Sequence, residues 1–353
     1  MKLRGSFATI LATLILLSAC APITPAPATQ TLPAATELPT SSPVALTTVN
    51  VCYSTAGGTQ TTTWYAYENG LFQKYGLNVK LTSISSGTTA VTALLAGDVD
   101  ICQLGSSAVI NAVVAKQNVV LIASLYNVYP GLLMVTPDIK TVADLKGKAL
   151  GINQAGSSAD TGTRLLLEKI GLVPDKDVAI LAVGDDNTRL AAMQAGQIAG
   201  TLLTPPYTLL ARQKGYVELY DMSTIGIPYE YLGIATSRAY IGSHRSVVDN
   251  FMKAILEAIF LMKKDPAGTK AVMAKYLLLD PVKDAAALDD AYQGLIVNNL
   301  LALPYPSLPG TQTLLDVLKV TNPAAGQTTP DQVVDTTILK SLEDSGFIAG
   351  LGK

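Results

Sequence analysis

The sequence predicts an α/β protein of two similar lobes, and three observations carry that expectation. A strand–loop–helix pattern at βαβ spacing runs from Val49 to Ser107, and the same order of elements recurs from Ala149 to Pro206. Helices in the two copies close on matched pairs, Gly76-Leu77 against Gly171-Leu172 and Ala96-Gly97 against Ala195-Gly196. Each copy places small polar loops after its strand runs. Alternation at this spacing builds parallel sheets with right-handed crossovers, and ligands then sit outside the carboxyl ends of the strands.

In the first copy, Val49–Tyr53, Val79–Ile84 and Val99–Leu104 are the strand runs. Their loops are Gly57-Gly58-Thr59, Ser85-Ser86-Gly87 and Gly105-Ser106-Ser107. In the second, Ala149–Asn153, Val178–Val183 and Ile198–Leu203 are followed by Gly156-Ser157-Ser158, Gly184–Asn187 and Thr204-Pro205-Pro206. Between the copies, Gly131–Thr136 reads as a crossing strand, and Tyr231–Thr236 as the returning one. The first lobe is then discontinuous, 47–133 and 236–353, with the second lobe at 134–235.

Trp64, Tyr67, Leu71 and Tyr75 fall at three- and four-residue steps and predict one helix over Thr61–Tyr75. A helix covering a sheet must bury such a stripe, so these aromatics read as packing rather than ligand contacts. Val247, Val248, Phe251, Ile255, Ile259 and Met262 predict a long amphipathic helix that Asp265-Pro266 ends. The remaining tail reads as helices covering the first lobe.

The chain has 353 residues and a net charge of −2, with no block of like charge to recruit nucleic acid. Lys2 and Arg4, the apolar run Phe7–Leu17 and Leu17-Ser18-Ala19-Cys20 compose a signal peptide over residues 1–20. Its apolar run is shorter than the roughly 18 residues of a spanning helix. Residues 21–46, rich in Pro, Thr, Ala and Ser, cannot bury a core and read as a tether, extending at about 3 Å per residue. Cys52 and Cys102 fall on the first and third strand runs. Pairing needs specific Cβ geometry, so they read as buried thiols.

Catalytic parts are hard to assemble. The sole histidine, His244, builds no metal site alone, and no nucleophile-elbow sequence accompanies it. Asp185-Asp186 precede a helix and read as its caps. No phosphate-binding glycine motif occurs, and no cofactor or metal is expected. A binding site assembles more readily, because helix starts present free N–H donors and partial positive charge to an anion or carbonyl. Four small-residue loops lie at such starts, at equivalent edges of both lobes. Tyr126, Tyr129, Tyr207, Tyr229 and Tyr231 lie near strand ends or crossovers, placed either to wall a pocket or to pack between lobes.

Several phrases carry a family resemblance. They are Glu68-Asn69-Gly70-Leu71-Phe72-Gln73-Lys74-Tyr75-Gly76-Leu77, Ser86-Gly87, Ala93-Leu94-Leu95-Ala96-Gly97-Asp98-Val99-Asp100 and Val142-Ala143-Asp144-Leu145-Lys146-Gly147-Lys148. Gly156-Ser157-Ser158 and Leu167-Glu168-Lys169-Ile170-Gly171-Leu172 complete the set. From about Thr48 onward the chain resembles the solute-binding proteins of ABC importers, in the nitrate/sulfonate/taurine group that includes thiamine-pyrimidine binders. Leu-Ser-Ala-Cys resembles the bacterial lipobox, with Cys20 the lipidated residue.

The resemblance implies a type II periplasmic-binding-protein fold, two parallel-rich lobes joined by a two-strand hinge around a ligand cleft. It implies a monomeric, non-enzymatic lipoprotein on the extracytoplasmic face of the cell membrane, serving an ABC permease and its ATPase. The expected solute is a small anion or anion-bearing organic compound. A flat heterocycle of pyrimidine or flavin type is the alternative, and a pyrimidine-synthase-like enzyme a further one. The candidate ligand residues are Gly57, Gly58, Thr59, Ser85, Ser86, Gly105, Ser106, Ser107, Tyr126, Gly156, Ser157, Ser158, Pro205, Tyr207 and Tyr229. Many relatives carry Trp before a Pro where this chain has Leu203-Thr204-Pro205-Pro206-Tyr207, a departure within the expected ligand region.

Overall fold

Ten strands divide between two five-stranded sheets in the computed structural model, which describes residues 45–351. The signal peptide, Cys20 and the tether as far as Val44 lie outside the described residues. The first sheet holds Thr47–Ser54 (β1), Leu77–Ile84 (β2), Ile101–Gly105 (β3), Val119–Tyr126 (β4) and Leu232–Ser237 (β10), in the order β2-β1-β3-β10-β4. The second holds Leu132–Val135 (β5), Ala149–Ile152 (β6), Ala179–Ala182 (β7), Gly200–Leu203 (β8) and Val217–Asp221 (β9), in the order β7-β6-β8-β5-β9.

The two orders are the same pattern. In each sheet three strands run parallel, and the fourth is antiparallel to both its neighbours. That fourth strand is the one that has just crossed from the other lobe, β5 in one sheet and β10 in the other. The duplication read from the sequence is therefore a duplication of topology, and the sheets are parallel-rich rather than wholly parallel. Strand β4, buried at every position, is absent from the sequence reading. Its continuous apolar run has no alternation to mark it as a strand.

Helices Thr61–Glu68 (α1), Leu71–Lys74 (α2), Gly87–Ala96 (α3), Ser106–Val114 (α4), Ser158–Lys169 (α5) and Asp186–Gln194 (α6) follow the loops. Tyr207–Gln213 (α7), Arg238–Ser243 (α8), Arg245–Met262 (α9), Pro266–Leu277 (α10), Ala285–Ala291 (α11) and Leu308–Lys319 (α12) come after them. The single helix expected over Thr61–Tyr75 breaks in two, because Gly70 takes a left-handed conformation with φ 67°. Only glycine adopts that region without steric cost. Trp64 is fully buried and stacks on Tyr276 of α10 at 4.7 Å, so its role is packing, as expected. The predicted stripe of α9 is buried throughout, with Phe251 stacked on Phe72 of α2 at 5.1 Å. Asp265 not only ends α9 but caps α10, accepting the Gly268 N–H at 2.9 Å.

The reading of Cys52 and Cys102 as free thiols is corrected. The residues are register partners on β1 and β3, with Cα atoms 4.5 Å apart, and form a disulfide. Direct pairing across adjacent parallel strands supplies the geometry that a sequence cannot display. The bridge closes a segment of 50 residues, and constraining a loop of that size in the unfolded chain typically contributes about 2–4 kcal/mol. Reduction, or the paired change Cys52→Ala and Cys102→Ala, is expected to lower stability by that amount in chemical denaturation. An unchanged unfolding midpoint would show that the bridge does not stabilise the first sheet.

Candidate functional site

The carboxyl ends of the central strands in both sheets face one another across a narrow cavity of about 50 Å³. From the first lobe, Ser54 ends β1 and Thr55, Gly57, Thr59 and Gln60 follow it, while Gly87 opens α3 and Gly105 closes β3. From the second, Asn153, Ser157, Ser158 and Ala159 follow β6, Asp186 and Arg189 lie on α6, and Thr204 follows β8. Tyr129 and Tyr231 come from the crossovers, and Leu232 opens β10.

Buried polar groups hold the first loop in place. Gln103 on β3 donates to the Thr59 carbonyl at 2.9 Å and accepts from the Thr63 hydroxyl and N–H. Gln60 donates its amide to the Ser54 carbonyl. Across the gap, Ser157 caps α5 by accepting the Asp160 N–H at 3.3 Å, while on the first lobe Ser86 caps α3 by accepting the Thr89 N–H at 3.1 Å. These small hydroxyl residues do what their position before a helix requires.

Asp185 caps α6 as expected, accepting the Thr188 N–H at 2.9 Å. Asp186 does something else. It pairs with Arg189 and accepts the Thr204 hydroxyl at 2.7 Å and N–H at 3.1 Å. The Arg189 guanidinium also donates to the Gly184 and Leu202 carbonyls, at 2.8 and 3.1 Å. A buried pair of this kind is hydrogen-bonded on nearly every side, and removing either partner costs about 3–5 kcal/mol by stranding the other.

Six hydrogen bonds draw the lobes together. The Ser158 hydroxyl donates to the Tyr231 carbonyl at 3.1 Å, a carbonyl that within the first lobe also accepts the Ser106 N–H at 3.0 Å. In return the Tyr229 hydroxyl donates to the Ser158 carbonyl at 3.1 Å. Gln154 accepts from Ser86 and Thr88, Asn153 donates to the Ser85 carbonyl at 3.2 Å, and Asn111 donates to the Gly156 carbonyl at 3.3 Å. Gly105 makes the approach possible, since a Cβ there would lie 2.5 Å from the Ser158 hydroxyl oxygen.

The structure brings Gly57, Thr59, Gly105, Ser157 and Ser158 together on the wall. The other candidates lie off it. Gly58 packs against the Pro205 carbonyl and Leu295. Ser85 and Ser86 bond across the lobe boundary, and Ser106 donates to Glu230 at 3.3 Å. Ser107 and Gly156 line a neighbouring cavity, and Pro205 another. Tyr126, Tyr207 and Tyr229 are buried away from the wall. Of the five tyrosines considered, only Tyr129 and Tyr231 reach it, their rings 4.6 Å apart. Burial raises the hydroxyls of both well above the ordinary tyrosine range, so they stay protonated.

Sequence reasoning missed Ser54, Thr55, Gln60, Asn153, Asp186, Arg189 and Thr204. An acid and a base three residues apart on a helix are a visible pairing signal, and Asp186 and Arg189 offered it. The wall position of the others depends on where the sheets meet. His244 is exposed, stacked on Tyr240 and bonded to the Ser243 hydroxyl at 2.8 Å, outside the cavity wall. Among the described residues no group of three or more His, Cys, Asp or Glu is arranged to hold a metal ion.

Beside the cavity, Glu230 is fully buried in the crossover. Its carboxylate accepts the Ser307 N–H at the start of α12 at 2.6 Å and the Ser106 hydroxyl. Burial pushes this carboxyl from the ordinary 4.5 up to about 7, against the opposing effect of its hydrogen bonds. The folded protein therefore binds this proton more tightly than the unfolded chain does. The resulting stabilisation is complete below about pH 4.5 and is lost as pH rises through 7. Glu230→Gln, which mimics the protonated form, is expected to stabilise by about 1–3 kcal/mol at pH 8 and to change little at pH 4. An equal effect at both pH values in urea denaturation would exclude this titration.

Comparison with known proteins matches these features to a family and a fold. The family model described as NMT1/THI5 like matches residues 59–269. A presumed binding protein of Brucella abortus (strain 2308) is 28% identical over 218 residues, covering 61% of this chain and 67% of that protein. Among solved structures, a Bordetella bronchiseptica RB50 protein superposes with TM-score 0.72 at 21% identity, over 84% of this chain and 97% of its own. The alkanesulfonate-binding protein of Xanthomonas axonopodis pv. citri gives TM-score 0.64 at 20% identity, over 83% and 96%. The nitrate-binding protein of Synechocystis PCC 6803 gives 0.65 at 12% identity, over 85% and 89%. At these identities the likeness establishes the fold, that of the periplasmic binding proteins.

Proposed function

We propose, from the premise that this chain belongs to the NMT1/THI5-like family, that it is the solute-binding component of an ABC importer. It captures a small polar organic solute between its lobes and hands it to a permease served by an ATPase subunit. One observation carries this reading: the polar cavity is enclosed by edges of two separate sheets, and hydrogen bonds across the boundary close it. Solved neighbours that bind alkanesulfonate and nitrate support the transport class.

The two lobes hinge at the paired crossovers, 127–131 and 222–231. In this reading binding proceeds without turnover, as befits a transport component, a reading that the alkanesulfonate- and nitrate-binding neighbours support. The anion-bearing class of solute draws support from the start of α5 at the cavity, where Ser157, Ser158 and Ala159 lie. The flat heterocycle draws support from Tyr129 and Tyr231. In this reading the protein is a monomer on the extracytoplasmic face of the cell membrane, held by lipid on Cys20 and spaced from it by residues 21–46.

Closure makes a direct prediction. Small-angle scattering of the mature chain is expected to show compaction when a transported solute is added. Gly105→Ala should reduce that compaction and weaken binding at least about tenfold, because the new methyl displaces Ser158. Compaction and affinity like those of the parent would remove this contact from the closing mechanism. For the anchor, metabolic labelling with a radioactive fatty acid should tag the parent chain and not Cys20→Ala. Label persisting in the variant would place the lipid elsewhere.

A further inference from the structure

The donors and acceptors left unpartnered around the cavity specify what the solute must offer, and this inference rests on the capture reading above. We infer that the site takes a small solute of no net negative charge, carrying an N–H edge and a carbonyl oxygen, in the manner of an amide or ureide.

Three wall residues each carry a buried polar atom without a protein partner. They are the carboxamide oxygens of Gln60 and Asn153 and Nε of Arg189. The residues themselves are 1%, 6% and 2% exposed. The orientation of both carboxamides is fixed chemically. The Gln60 nitrogen faces the Ser54 carbonyl and the Asn153 nitrogen faces the Ser85 carbonyl, and only an N–H can face a carbonyl. Their free ends are therefore oxygens, which accept and cannot donate. Because Ser85 belongs to the opposite lobe, closing the lobes is what turns the Asn153 oxygen into its final position.

The charge on the wall leads to the same class of solute. Its ionic groups, Asp186 and Arg189, neutralise each other. The guanidinium spends its terminal nitrogens on Asp186 and two carbonyls, leaving Nε alone without a partner. A bare anion brings acceptors only. It would satisfy Arg189 Nε while leaving both carboxamide oxygens unpaired in a desolvated space, an arrangement that costs the full desolvation of each group. An amide or ureide supplies N–H groups to Gln60 and Asn153 and a carbonyl to Arg189. A volume of about 50 Å³ admits a head group of that size.

Calorimetry and scattering on the mature chain test this with two panels of probes. One contains urea, acetamide and hydantoin; the other contains nitrate and methanesulfonate. Acetamide or a ureide should bind and compact the protein, and methyl acetate, which has a carbonyl and no N–H, should bind at least tenfold more weakly. Gln60→Met and Asn153→Leu should each weaken the same probe at least tenfold with unchanged circular dichroism. The acetamide and methyl acetate comparison uses the parent protein, so it holds if either variant fails to fold. Tighter binding of nitrate or methanesulfonate, or equal binding of methyl acetate, overturns the amide or ureide class while leaving capture by closure intact. Absence of compaction with every probe in both panels overturns this inference and counts against the capture reading as well.

Discussion

The exchange of one strand between two otherwise separate sheets is the constraint on which the molecule depends. β5 and β10 each join the opposite sheet antiparallel and in fourth place, so the chain must cross the boundary twice. The crossings are hydrogen-bonded to one another, Tyr231 to Tyr126 at 3.0 Å and Tyr229 to Asn127 at 3.2 Å. A single crossover would leave the lobes free to swivel. Two side by side tie them at two points, and they turn the carboxyl edges of both sheets toward each other. Everything polar in the cavity follows from that confrontation.

The same constraint explains the concentration of buried polarity near the crossovers. Glu230, the Tyr229 hydroxyl and the Tyr231 carbonyl lie in a space that water does not reach. Each is met by a partner from a helix start, Ser307 of α12, Ser158 of α5 and Ser106 of α4. Buried polar groups are tolerated only when matched in this way. Among the unmatched buried side-chain atoms of the described residues, those of Gln60, Asn153 and Arg189 belong to residues that line the cavity, whereas others, such as those of Thr62, Trp64 and Thr311, lie elsewhere.

Much of the architecture was legible because it repeats. The order of elements in the two copies, and the glycine-containing pairs ending their helices, are properties of the chain itself and survive as matching sheet orders. The long stripe of α9 was equally readable, since periodicity depends on nothing beyond one helix. Strand β4 was missed because a fully buried strand lacks the alternation that identifies a half-buried one. The break at Gly70 was missed because an apolar period can continue across a left-handed glycine. The cysteine pairing required knowing that β1 and β3 are neighbours in register, which is long-range information. At the cavity, small residues at helix starts were visible and five of them line the wall. The carboxamides of Gln60 and Asn153 carried no local mark, since their significance lies in which carbonyl each one meets.

The disulfide between Cys52 and Cys102 bears on how the cavity wall is held. It ties together the two strands that lead into Ser54-Thr55 and Gly105, so the first lobe's share of the wall is mechanically one piece. The second lobe has no such tie among its described residues; its share is held by the Asp186–Arg189 pair and the caps of α5 and α6. The two shares of the wall are thus held differently, one by a covalent tie and the other by an ion pair and helix caps. In the proposed capture of a solute, adaptation to different outlines would fall to Asn153, Ser157 and Thr204, with the covalently braced side as the fixed gauge against which they are measured.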